Sequence, residues 1–235
     1  MRYTRIKKFE EADYQKAQEE YDRTGSCLDQ TLYQLCKNHS CHCNPGWVYA
    51  KAFIIGRTYA TGIERKVTRG TGQGSSMSKV ARRIFEKREE VDCLLAKLAK
   101  FGEPLSSVTL KVIAEVHESF VDLLKEITRD QQAVRAFVSK YMHCHCPLVP
   151  IRDEMANDAL RSLVRWKEEL WTSAGLPDPP NRDDKYREFL ARFFFLYEKW
   201  RPTISDLSVG RLDAYLIWAE NRNQASKHNV LSNCA

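Results

Sequence analysis

No run of apolar residues in this chain of 235 approaches the roughly 20 that a membrane-spanning helix needs, so an integral membrane protein is not expected. Arg2, Arg5, Lys7 and Lys8 open the chain with no apolar core after them, which argues against a secretory signal and for a cytoplasmic protein. Glycine and proline are sparse, at 10 and 8 residues, and neither repeats nor low-complexity segments occur. Disorder as the dominant state is thereby excluded. The Gly-Lys-Ser/Thr ending of a phosphate loop is also missing, which makes a nucleoside triphosphate an improbable ligand.

What is present is the composition of a soluble globular protein, 43% hydrophobic and 29% charged. The 8 cysteines do not imply a disulfide framework in a chain of this size, and free thiols are expected. The formal charge is +6, and its distribution is informative. Residues 1–46 hold 7 basic and 7 acidic side chains, residues 47–100 hold 12 and 5, and residues 101–235 hold 18 and 19. The positive excess lies in the middle stretch, where a polyanion such as double-stranded DNA would dock.

Periodicity predicts an all-α protein of roughly nine helices, forming a single domain over residues 1–235, with the option of two helical lobes around the active site. Helices are expected over the first 23 residues, 29–36, 47–66, 76–101, 108–127, 130–146, 153–170, 186–200 and 209–221, with a flexible tail at 223–235. The segment 186–200 is the most apolar, and burial on several sides is expected of it.

Cys36, His39, Cys41, His42 and Cys43 form one Cys/His cluster, and His143, Cys144, His145 and Cys146 form another. Four consecutive helical residues point about 100° apart and cannot converge on one ion, so no metal is expected unless the two clusters meet. Core cysteines and hydrogen-bonded histidines are the plainer reading. Gly70, Gly72 and Gly74 precede Ser75 and Ser76 at a helix start, followed by Lys79, Arg82 and Arg83. Free backbone N–H groups there suit a nucleic-acid phosphate, or else the loop is simply solvated. The candidate DNA-binding set is Lys51, Arg65, Gly72, Gly74, Ser75, Lys79, Arg82 and Arg83.

Residues 139–153, Ser-Lys-Tyr-Met-His-Cys-His-Cys-Pro-Leu-Val-Pro-Ile-Arg-Asp, place Lys140 in a helix that ends in an apolar turn. Asp153 follows a proline-containing segment at the start of the next helix. This stretch resembles the active site of the helix-hairpin-helix DNA glycosylases, particularly the 8-oxoguanine branch. The resemblance implies Lys140 as catalytic lysine and Asp153 as catalytic aspartate, presented by Val149-Pro150-Ile151-Arg152. Residues 128–132, Thr-Arg-Asp-Gln-Gln, stand where those proteins carry Leu-Pro-Gly-Val-Gly, and no iron–sulfur cysteine pattern closes the chain. Residues 47–66, with Lys51 and Gly56-Arg57-Thr58-Tyr59-Ala60, also resemble a segment of bacterial proteins that share the Ser-Lys-Tyr and Val-Pro-Ile stretches. Some distant glycosylases of this kind act in anti-phage defence on modified bases.

Cleaving an N-glycosidic bond builds positive charge on the deoxyribose, so a carboxylate near C1′ stabilises the transition state, and a lysine of depressed pKa could attack C1′. The flipped base needs a walled pocket, for which Trp47, Arg57, Tyr59, Tyr141, His143 and His145 are the candidates. Two readings follow: a glycosylase-like enzyme without cofactor that excises a base, in particular a modified one, or a non-catalytic helical nucleic-acid-binding or regulatory module. In the second, Asp153 is only a helix cap and Lys140 an exposed helix residue.

Overall fold

The computed structural model describes residues 10–58, 61–63, 76–127, 131–165, 169–176 and 185–232. The fold is all-helical, with eleven α-helices among these residues: α1 (Glu11–Thr24), α2 (Ser26–Asn38), α3 (Pro45–Thr58), α4 (Ser76–Glu86), α5 (Arg88–Leu98), α6 (Ser107–Leu124), α7 (Gln131–His145), α8 (Glu154–Leu163), α9 (Glu169–Ser173), α10 (Lys185–Trp200) and α11 (Val209–Ser232). None of them is long and apolar enough to cross a membrane.

Local chemistry sets the helix starts. Asn44 Oδ1 accepts from the backbone N–H of Gly46 at 2.8 Å, and Pro45 occupies the first helical position of α3, where its missing N–H costs nothing. Ser106 caps α6 through Thr109 N at 3.2 Å, and Asp153 caps α8. Apolar stripes set the packing. α10 buries eleven of its sixteen residues, among them Phe189, Phe193 and Tyr197, as its sequence leads one to expect.

Helix boundaries differ from the sequence reading at several places. The segment expected as one helix over 76–101 is two, because the backbone at Lys87 (φ −100°, ψ 21°) leaves helical geometry. The segment over 153–170 also divides, since Val164 is extended (φ −121°, ψ 107°). α3 is described over Pro45–Thr58, and the helix expected to residue 66 is broken before it, since Gly62 adopts φ 71°, a left-handed conformation that glycine tolerates best. The last helix does not end near Asn221; it runs to Ser232, through most of the stretch expected to be a loose tail.

α7 lies centrally, packed against α2, α3 and α6, while α8 packs on α10 and α11, and α1 lies along α11. α1, α2, the end of α7 and α11 therefore meet around the segment that joins α7 to α8.

Candidate active site

Residues 146–152 have no regular secondary structure, yet all but Pro147 are buried. Hydrogen bonds from three helices hold this arm. His143 Nδ1 donates to Val149 O at 2.7 Å, Tyr186 Oη donates to Pro150 O at 3.3 Å, the Ile151 N–H donates to Asp213 Oδ2 at 3.1 Å, and the Arg152 N–H donates to Ser139 Oγ at 3.2 Å. Buried backbone groups must find partners, and here they come from α7, α10 and α11. The arm thus delivers Asp153 to a defined position.

Asp153 divides its carboxylate. Oδ1 accepts from the Ala156 N–H at 2.8 Å and caps α8, while Oδ2 lies 3.5 Å from Lys140 Nζ. Lys140 is only 3% exposed, so it is not the exposed helix residue that the non-catalytic reading expects. Burial drives its pKa down from the usual lysine value, opposed by the neighbouring charge of Asp153. The structure therefore brings the two residues singled out in the sequence into one ion pair, with the amine desolvated and the carboxylate partly open.

Asp153 opens onto a cavity of about 170 Å³ between α1, α2, α7 and α11. This is smaller than the roughly 300–1,000 Å³ of drug-sized pockets and suits a single small ring system. Tyr21, Asp29, Tyr33, His143 and Asp213 also line it. Because Val149 O can only accept, His143 carries its proton on Nδ1, and Tyr33 Oη donates to the free Nε2 at 2.6 Å. Burial keeps the His143 pKa below its ordinary value, so the ring is neutral. Tyr21 Oη donates to Asp29 Oδ2 at 2.6 Å. Asp213 is 3% exposed; its Oδ2 serves the arm, and its Oδ1 has no partner among the described residues. Burial pushes the pKa of this carboxyl well above the carboxylate range.

Of the five described residues expected to wall a base pocket, His143 alone lines this cavity. Tyr141 is fully buried on the other side of α7, in line with Val134, Phe137 and Val138, where its hydroxyl contacts His42 Nε2 at 2.7 Å. His145 turns toward Lys51, 3.3 Å from its Nζ. Trp47, 40% exposed, stacks on His39 with ring centres 3.8 Å apart, and Arg57 lies over Phe53. Tyr59 falls outside the described residues, as do Arg65, Gly72, Gly74 and Ser75 of the proposed DNA surface.

Lys51, expected on that surface, is fully buried. It follows Val48 by three residues and precedes Ile55 by four, so it shares the apolar face of α3 and is turned into the core. There its Nζ donates to His39 O at 2.9 Å. Arg82 is exposed and Lys79 half-buried. Arg83 bonds Leu123 O through Nε at 2.8 Å and Glu126 at 2.6 Å, so its charge is committed within the protein.

The two Cys/His clusters do meet, His42 stacking on His145 with ring centres 5.3 Å apart and Lys51 Nζ lying 3.5 and 3.3 Å from their Nε2 atoms, yet no group of three potential ligands stands together among the described residues. Cys41 and Cys43, expected as free thiols, are joined in a disulfide, the turn after α2 bringing their Cα atoms to 5.6 Å. Cys27, Cys36, Cys93, Cys144 and Cys146 keep their thiols outside any disulfide among the described residues.

The sequence reading missed Tyr21, Asp29, Tyr33 and Asp213. The one available signal was Asp213 itself, a lone acid beside Leu212 on the apolar face of α11. No family model, curated protein or solved structure matches this chain.

Proposed function

We propose that the protein is a DNA glycosylase-like enzyme that draws a flipped base into the Asp153 cavity and cleaves its N-glycosidic bond. The observation that carries this reading is the pairing of a desolvated Lys140, itself behind the cavity wall, with Asp153, 3.5 Å away and lining a base-sized cavity. As the C1′–N bond breaks, its electron pair leaves with the base and positive charge develops on the sugar. Asp153 then lies beside a growing cation, and Asp29 adds negative potential from the same wall. Water completes the reaction by adding to C1′ and releasing a proton, or Lys140 adds to C1′ itself when neutral. The cavity repels phosphate, so the backbone of a bound duplex belongs outside it, on the exposed Arg82 and half-buried Lys79 of α4.

The capping bond from Asp153 Oδ1 to Ala156 favours a second reading, in which the pair only secures the start of α8 in a non-catalytic nucleic-acid-binding module. One experiment separates the two. Purified protein is incubated with unmodified DNA and with DNA carrying modified bases, followed by alkali. Strand breaks at defined bases, absent with Asp153→Asn, support the enzyme; intact strands in every substrate overturn it.

A further inference from the structure

Resting on the reading of this cavity as a base site, the hydrogen-bonding polarity of its wall specifies the base. His143 has no proton on Nε2, so the Tyr33 hydroxyl spends its hydrogen there and turns only oxygen lone pairs to an arriving ligand. Tyr21 spends its hydrogen on Asp29, leaving a phenol oxygen and a carboxylate, both acceptors. Asp153 presents a further acceptor. Asp213 differs: it lines the cavity, is almost wholly buried, and leaves Oδ1 unpaired while Oδ2 holds the arm. Folded proteins rarely leave such an atom without a partner, which marks Oδ1 as the place where a ligand completes the site.

We infer that the cavity takes an amino-substituted base, an aminopyrimidine or aminopurine, with Asp213 Oδ1 pairing the ring nitrogen beside the amino group and Tyr33 and Asp29 accepting from the amino hydrogens. A carboxyl and a basic ring nitrogen make the same bond whether the proton sits on oxygen or on nitrogen. Burial favours the protonated carboxyl, which suits a nitrogen lone pair opposite it. An oxo-base is mismatched twice. Its ring N–H would face the carboxyl proton, and its carbonyl lone pairs would face those of Tyr33.

The test measures binding of four free bases to the intact protein by ligand-detected NMR: cytosine against uracil, and adenine against hypoxanthine. Each pair differs by amino for oxo. The amino member should bind about tenfold tighter in at least one pair, the value of one well-placed hydrogen bond and its mismatch. Tyr33→Phe, checked for folding by circular dichroism, should erase most of that preference. Equal or reversed preference, or no binding by any of the four, overturns the inference with the wild-type protein alone. Abasic sites formed at oxo-bases alone would overturn it while leaving the glycosylase reading intact. Amino-selective binding without abasic sites in any DNA would retain the amino-selective cavity and overturn the enzyme.

Discussion

Asp92 holds His42 by two contacts, accepting from its backbone N–H at 3.2 Å and from its ring Nδ1 at 2.5 Å. The double grip fixes the tautomer, leaving Nε2 to accept from the Tyr141 hydroxyl at 2.7 Å. Lys51 completes the knot through His39 O and His145, and so the turn after α2 is tied to α3, α5 and α7. The helix that carries Lys140 is thereby braced from the side opposite the cavity.

Asp92→Ala leaves two donors of His42 without their acceptor, one of them in the core. A loss of about 1–3 kcal/mol in unfolding free energy is expected, seen as a lower denaturation midpoint at unchanged slope. Asp92→Asn, which keeps one acceptor, should fall between the two. An unaltered midpoint in Asp92→Ala would mean that water replaces the carboxylate fully.

His117 sets a pH dependence. Burial lowers its pKa to about 3 while its Nε2 donates to Arg135 O at 3.1 Å, so it folds as a neutral ring. The unfolded chain binds a proton at this position below about pH 6.5 and the folded chain does not, so acid favours unfolding. Stability contributed here is complete above about pH 6.5 and declines as the pH falls from there toward about 3. The slope for this one residue is at most about 1.4 kcal/mol per pH unit. His42, His143 and His145, whose pKa values burial also lowers, act in the same direction. Asp213 opposes them: its raised pKa keeps a proton that the unfolded chain releases above about pH 4, so its contribution shrinks as the pH rises. His117→Gln, which can still donate to Arg135 O, should flatten the acid limb of a stability–pH curve by about one proton. An unchanged limb would place the acid sensitivity elsewhere.

The basic residues of α4 divide into two kinds. Arg82 is exposed, whereas Arg83 is bound to Leu123 O and Glu126. If DNA docks here, Lys79→Gln with Arg82→Gln should weaken binding and reduce the salt slope by roughly one to two charges. Arg83→Gln should mainly cost stability, about 1 kcal/mol, with little change in that slope. Equal loss of salt dependence from Arg83 alone would show that its internal bonds yield to phosphate.

The all-helical fold was legible because apolar residues recur every three or four positions, as in Val48, Ala52 and Ile55 of α3. The same rule places Lys51 in the core, but its charge argued for the surface, and only the spacing was right. Lys87 interrupts a helix without interrupting the apolar pattern, so α4 and α5 read as one. Lys140 and Asp153 were legible because a short local segment joins them. Asp213 was not, since its meaning depends on an N–H donated by Ile151, 62 residues away, and on a cavity shared by four helices. Tyr33 likewise acquires its role only from His143, 110 residues on.

Asp153→Asn is the decisive substitution because the two carboxylate oxygens serve separable ends. The amide keeps an oxygen that can accept from Ala156, so the cap survives and the stability cost of losing capping should stay below about 1 kcal/mol. What disappears is the charge 3.5 Å from Lys140 Nζ. If the pair is structural, a modest stability change is the whole effect, and DNA binding and base release are unaltered. If Asp153 faces a developing cation on the sugar, base release should fall at least about a hundredfold, on the order of 3 kcal/mol in the barrier. DNA affinity should hold or rise, since one negative charge near the backbone is gone. Lys140→Gln separates the remaining roles. Borohydride trapping of wild-type protein on DNA, lost in Lys140→Gln, would mark the amine as the group that attacks C1′; base release without trapping would leave the lysine as the partner that positions Asp153. Wild-type rates of base release by a folded Asp153→Asn protein would remove Asp153 from the chemistry altogether.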